Sequence, residues 1–495
     1  MEPIVALGRN CWKIEHASCA SVIIDAADYY HFVRQAMDAA ESRILIIGWQ
    51  FDTRILLEPR EGEQTLGQYF LTLAHQKPDR RIDVLKWSFG AKKQLLHLSA
   101  IWMLLRWQGT KAIDLRFDGA HPPGCSHHQK IVVIDDQFAV CGGIDISIAR
   151  WDTSDHSDDN ANRRHPNGHQ YGPWHDVTMA MIGNVAGALS ELGRDRWHIA
   201  TGVKLEPVNT PPHDLWPKDL AVDFENVDIA IARTRAEYED VKDVREIEAL
   251  NLDMIAAAKR FIYIENQYFT SARIAAAIAS RMEEENPPEI VMVVPRTADG
   301  WLEQIAMDAA RVQIARAIAK VDHKKRFRIY VPVTKGQTDI YVHAKVSIVD
   351  DRFLRVGSSN LNNRSLGLDS ECDVMIDAAL DANGHTPPAI TAIRTRLMAE
   401  HLDVSPEHFA EIVAQHGGSL IDAIETLRGE GKTLDPLDLV PPGPLDEFIA
   451  DNELLDPESP DAFLEPMSKR GLRKHWSEGK AWFKRRRGSR RAARH

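Results

Sequence analysis

One pattern constrains this chain more than any other. His128-x-Lys130-x-x-x-x-Asp135 stands in CSHHQKIVVIDD, and His343-x-Lys345-x-x-x-x-Asp350 stands in YVHAKVSIVDD, 215 residues later. A single HxKx4D should arise by chance roughly once in ten chains of this length. Two copies with shared surroundings are a different matter: Gly142-Gly-Ile-Asp145 and Gly357-Ser-Ser-Asn360 each begin fourteen residues after the motif histidine. Each copy leads into an apolar run that reads as a strand, so i and i+2 side chains share a face. His128 and Lys130 therefore point together, as do His343 and Lys345, while Asp135 and Asp350 have the opposite parity. Those aspartates read as structural motif groups rather than general bases.

The repeat extends beyond the motifs. RILIIGWQF from Arg43 matches RFIYIENQYF from Arg260, VLKW near Val84 matches EIVMVVP from Glu289, and IDLRF from Ile113 matches RIYVP from Arg328. Strand-like and helix-like runs alternate in both copies, which predicts an α/β fold. A period this long indicates a duplicated domain rather than a solenoid. The expected organisation is a first lobe at 1–202, a Pro-rich linker at 203–220 and a second lobe at 221–400. A small helical segment at 401–434, an acidic Pro-rich linker at 435–466 and a basic tail at 467–495 follow. At 495 residues the length suits two to four domains.

Charge and cysteine content narrow the function. The net charge of -12 conceals a tail, 467–495, of twelve Lys or Arg against Glu478 alone. An acidic body is a poor surface for nucleic acid, which is bound chiefly through phosphate neutralisation, so a nucleic-acid partner is not expected. The tail, with Trp476, Trp482 and Phe483 among its charges, reads as a basic amphipathic segment for an anionic membrane surface. Five scattered cysteines offer neither a disulfide framework nor CxxC spacing, and the N-terminus shows no secretory signal. The expectation is a cytoplasmic chain, peripheral at the inner membrane surface. The segment Asp155-His-Ser-Asp-Asp159 lacks EF-hand spacing and reads as a solvated loop, so no metal site is expected. There is no Walker-type loop and no GxSxG elbow.

Two His-Lys pairs facing each other across a pseudo-twofold interface would surround one tetrahedral anion. The lysines would neutralise phosphate oxygens, while one imidazole attacks phosphorus and the other protonates the leaving oxygen. These paired motifs resemble the phospholipase D superfamily. ARWDTSDH (149–156), GPWHDV (172–177), IYIENQYF (262–269) and NNRSLGLDSE (362–371) are similar to motifs of its phosphatidylcholine-type enzymes in eukaryotes and some bacteria. The resemblance covers about residues 12–400, and leaves no room before it for the lipid-binding accessory domains of the eukaryotic enzymes.

That resemblance implies two α/β sandwich lobes with one active site at their interface, and a phosphohistidine intermediate. It makes His128 the nucleophile and His343 the general acid, with the reverse assignment left open. Lys130, Lys345, Asn360 and Ser358 match positions near the phosphate, and Asp145 stands where the other repeat has asparagine. Asp176 and Glu371 match the acids that orient the catalytic imidazoles, and Asp176 is the acid to expect beside the first half-site. His127, with no equivalent in the second repeat, is expected to be a bystander. The implied function is hydrolysis of phosphatidylcholine or a related glycerophospholipid to phosphatidic acid, with transfer to alcohols, by a monomer that uses no cofactor. Alternatives are a cardiolipin synthase-type phosphatidyltransferase and a nuclease of the same superfamily.

Overall fold

The computed structural model describes residues 2–60, 62–88, 106–107, 109–298, 301–439 and 456, with the backbone alone for 301–306. Most of the acidic linker and the whole basic tail lie outside the described residues.

A single large mixed sheet runs through the molecule, with helices on both faces. In its first half the strands lie in the order Ile113–Asp118, Arg81–Trp87, Arg43–Gly48, Ile131–Ile134, Phe138–Gly142, Val177–Gly183, Lys13–Ile24. The second half repeats that order: Phe327–Val333, Glu289–Val293, Phe261–Asn266, Lys345–Val349, Phe353–Gly357, Glu371–Asp377, Phe224–Arg235. The segments aligned from sequence occupy equivalent places. The halves join where Lys13–Ile24 pairs antiparallel with Phe224–Arg235, Lys13 opposite Ile231 and Ala20 opposite Phe224. The α/β class is as expected, but the sheets of the two halves are continuous.

Side-chain alternation explains the layering. Leu45 and Ile47 face one side with Tyr263 and Phe261, in a core shared by both halves and covered by helices Asn184–Thr201 and Pro387–His401. Ile44 and Ile46 face the other side, under helices Ala26–Ala39 and Leu66–Gln76. Ile262 and Ile264 do the same in the second half, under Glu246–Ala257 and Ala272–Met282. Central strands buried on both faces explain the near-continuous apolar runs.

The linker at 203–220 has no helix or strand and straps the first half, with Leu215 and Leu220 buried in its core. Helices Pro406–Gln415 and Leu420–Leu427 lie within residues 401–434. Thr433–Pro436 adds an edge strand beside Phe327–Val333 and takes in the first two residues of the linker expected at 435–466. No helix among the described residues is long and apolar enough to cross a membrane.

Candidate active site

The four-residue strand Ile131–Ile134 ends in a turn whose central residues, Asp135 and Asp136, have φ of 51° and 57°. Asp350 and Asp351 repeat this at 55° and 53°. Aspartate is among the few residues that visit this left-handed region readily. The Asp135 carboxylate accepts backbone N–H bonds from Glu41, Ser42 and Arg43 at 2.6–2.8 Å. Asp350 accepts from Lys259, Arg260 and Phe261 at 2.6–3.0 Å. The fifth residue after each lysine thus ties the hairpin to the start of the neighbouring strand, remote from the histidines.

The strands begin only at Ile131 and Lys345, so the histidines lie just ahead of them, on segments that reach into the opposite half. The His128 N–H donates to the carbonyl of Ser370 at 2.9 Å, and the Ser370 N–H donates to Ser126. Reciprocally, Tyr341–Val342 pairs with Trp174–His175, and the His343 N–H donates to the carbonyl of His175 at 2.8 Å. This crossing selects the acids. His128 Nδ1 lies 2.9 and 3.0 Å from the two Glu371 oxygens. His343 Nδ1 lies 2.7 Å from Asp176 Oδ2. Asp176, expected beside the first half-site, instead serves the second, because the parallel bridges exchange the acid-bearing segments.

Both lysines lie near both histidines. Lys130 Nζ donates to the carbonyl of His128 and sits 3.4 Å from Asp145 Oδ2. Lys345 Nζ donates to the carbonyl of His343 and to Gln267 Oε1 at 3.2 Å. Burial, and then the field of the two lysines, hold the His128 imidazole well below its ordinary value. His343 is depressed by burial first, then by Lys345, Arg150 and Lys130. Lys345 itself is brought down to about 7, by burial more than by repulsion from Lys130. Burial raises Asp176 to about 6.

Asp145 is held by Lys130 and by the N–H groups of Trp49 and Gln50. Asn360 is buried, and its Oδ1 makes no hydrogen bond. Ser358, expected near the phosphate, donates its hydroxyl to Glu371 Oε2. Gly143 is its counterpart, and a Cβ there would come within 2.0 Å of Asp176 Oδ1. The two repeats therefore hold their acids differently, one by a hydroxyl and one by close backbone approach.

Sequence reasoning missed several neighbours. Ser365 Oγ donates to Glu371 Oε1 at 2.7 Å. Trp49 stands edge-on to His128, 5.7 Å between ring centroids, and Trp174 packs on His343 at 5.2 Å. Arg150 lies 4.2 Å over the Trp174 ring. The signal for Ser365, Trp174 and Arg150 was their place inside the quoted motif stretches. His127 is a tied structural group, between Ser370 Oγ at 2.7 Å and Asp118 at 3.0 Å.

Comparison with known proteins fits this geometry. Residues 252–386 match a family model described as cardiolipin synthase, PLD-like domain. Phospholipase D1 of Saccharomyces cerevisiae is 27% identical across 58% of this chain and 23% of its own length. Phospholipase D delta of Arabidopsis thaliana is 23% identical across 82% of this chain and 65% of its own. The chain thus spans less than two thirds of the length of either relative. The crystal structure of phosphatidylserine synthase from Haemophilus influenzae superposes with a TM-score of 0.55 at 12% identity, covering 84% of this chain and 97% of that one. That likeness speaks for the fold. The duplicated motif, the matched family model and the relatives together make the chain similar to the phospholipase D superfamily.

Proposed function

We propose that this protein is a phosphodiesterase of phospholipase D type, cleaving the head-group ester of glycerophospholipids through a phosphohistidine. The crossed pairing of each imidazole Nδ1 with a carboxylate from the other half carries this reading. It commits Nδ1 to the acid and leaves Nε2 of each ring for the substrate. The low proton affinity of His128 supplies an unprotonated nucleophile at neutral pH. An anionic phosphodiester entering between Lys130 and Lys345 offsets the field that depresses His343, which then holds the proton the leaving group needs. His128 Nε2 attacks phosphorus, the P–O bond to the head group breaks, and His343 delivers its proton to the departing oxygen. Water or an alcohol then gives a proton back to His343 and displaces His128 from phosphorus. The basic stretch 467–495 is assigned to bilayer contact, on its charge alone.

The test offers the protein phosphatidylcholine, phosphatidylglycerol and DNA, with and without a primary alcohol. The expected result is head-group release, a phosphatidyl-alcohol when alcohol is present, and loss of at least about 10³-fold in turnover for His128→Ala and His343→Ala. Cutting of DNA alone, or wild-type turnover in both variants, would refute the reading. Cardiolipin as the main product from phosphatidylglycerol would favour a phosphatidyltransferase.

A further inference from the structure

Next to Asp176 a second set of titratable groups converges, three of them buried and Glu400 partly so. Asp25 follows strand Lys13–Ile24, His175 precedes Asp176, and Glu400 lies near the end of helix Pro387–His401. His156 comes from the stretch that reads as a solvated loop; Asp155, Asp158 and Asp159 are indeed exposed, but His156 is 0% exposed. His175 Nδ1 lies 3.1 Å from Asp25 Oδ1 and 3.0 Å from Glu400 Oε1. His156 Nε2 lies 3.1 Å from the same Glu400 oxygen and 3.5 Å from Asp25 Oδ2.

Tetrahedral zinc with ligand bonds of about 2.0–2.1 Å keeps its donor atoms roughly 3.3–3.4 Å apart. The four separations above lie within a few tenths of an ångström of that edge, with Asp25 reached through a different oxygen from each histidine, and one donor atom from each of the four residues lies within 4.8 Å of the others. The outer nitrogen of each histidine is also held by a carboxylate: His156 Nδ1 lies 2.9 Å from Asp152, and His175 Nε2 lies 2.7 Å from Glu265. Metal-bound imidazoles are ordinarily oriented in this way.

Protons alone account for the cluster less well. A ring N–H points along one line, and His175 Nδ1, fully buried between two carboxylates, makes a hydrogen bond to neither; Asp25 Oδ2 is likewise without one. A divalent cation with two neutral imidazoles carries the same charge as two imidazoliums, yet it can satisfy all four donors at once. We propose that Asp25, His156, His175 and Glu400 form a closed, structural binding site for a zinc-class divalent cation. The site would brace the catalytic acid. Asp25 N–H donates to the Asp176 carbonyl at 2.8 Å, and Asp25 Oδ1 accepts from the Asp176 N–H at 3.2 Å.

The test is metal content, which is independent of any lipid activity. Full-length protein expressed with zinc and freed of loose metal should carry about one zinc per chain. Cobalt exchanged into it should give the intense visible bands of a tetrahedral site. Asp152→Asn and Glu265→Gln retain all four ligands and should weaken zinc about 10- to 100-fold in competition with a chelator. Chelation should lower Tm, and added zinc should restore it. The proposal is overturned by wild-type protein that is zinc-poor and takes up no cobalt. It is equally overturned if bound zinc is lost in His128→Ala but held at full affinity in Asp152→Asn and Glu265→Gln.

Discussion

Burial and the nearby Lys130 charge bring the Lys345 ammonium down to about 7, while the histidines are pushed well below their usual range. The proposed reaction needs a charged Lys345, an unprotonated His128 and a proton on His343; above the low histidine values ever less of the free protein meets the last condition, and above about 7 it also loses the lysine charge. We predict that kcat/KM on a soluble short-chain phosphodiester falls with rising pH and falls more steeply beyond about 7, and that Lys345→Arg removes the added steepness. A wild-type profile flat well beyond that pH would contradict it. Glu371 sets the tautomer of His128, so Glu371→Gln should lower kcat by about 10²- to 10⁴-fold with little change in Tm. A loss below tenfold would remove Glu371 from the orienting role. At this scale the histidines and lysines were legible because the motif occurs twice. Their acids were recognisable but not their pairing, since Glu371 lies 243 residues from His128.

Each hairpin after the motif depends on one carboxylate that gathers three backbone N–H groups and on two residues with positive φ. Asp135→Gly keeps the turn's conformational freedom and deletes only the acceptor. It should cost about 2–3 kcal/mol in urea unfolding, because the donors lose their partner, while the folded enzyme keeps kcat within a few-fold. A large loss of kcat at unchanged stability would instead give Asp135 a chemical role. Strand parity by itself puts this residue on the opposite face from the motif histidine and lysine. Parity could not reveal that the histidines sit ahead of the strands, where Ser126–His128 and Tyr341–His343 pair with the other half.

Across the whole molecule, the halves are held by the long antiparallel pair Lys13–Ile24 with Phe224–Arg235 and by a shared apolar core. The connecting strap at 203–220 is largely exposed over residues 203–213. A protease site placed in that stretch should yield a nicked protein that elutes as one species and retains most activity, whereas 221–439 expressed alone should be inactive. Separation of the nicked halves under native conditions would show that the strap, not the sheet, holds them together. The repeat, the α/β class and the chemistry-bearing residue types follow from the sequence alone, because they rest on local periodicity and on a motif copied within one chain. Tertiary structure alone decided which acid serves which histidine, how one sheet runs through both halves, and why His156 and His175 are buried among carboxylates. Those outcomes depend on strand pairing across hundreds of residues and on desolvation by every surrounding atom, and neither is encoded in the spacing of neighbours along the chain.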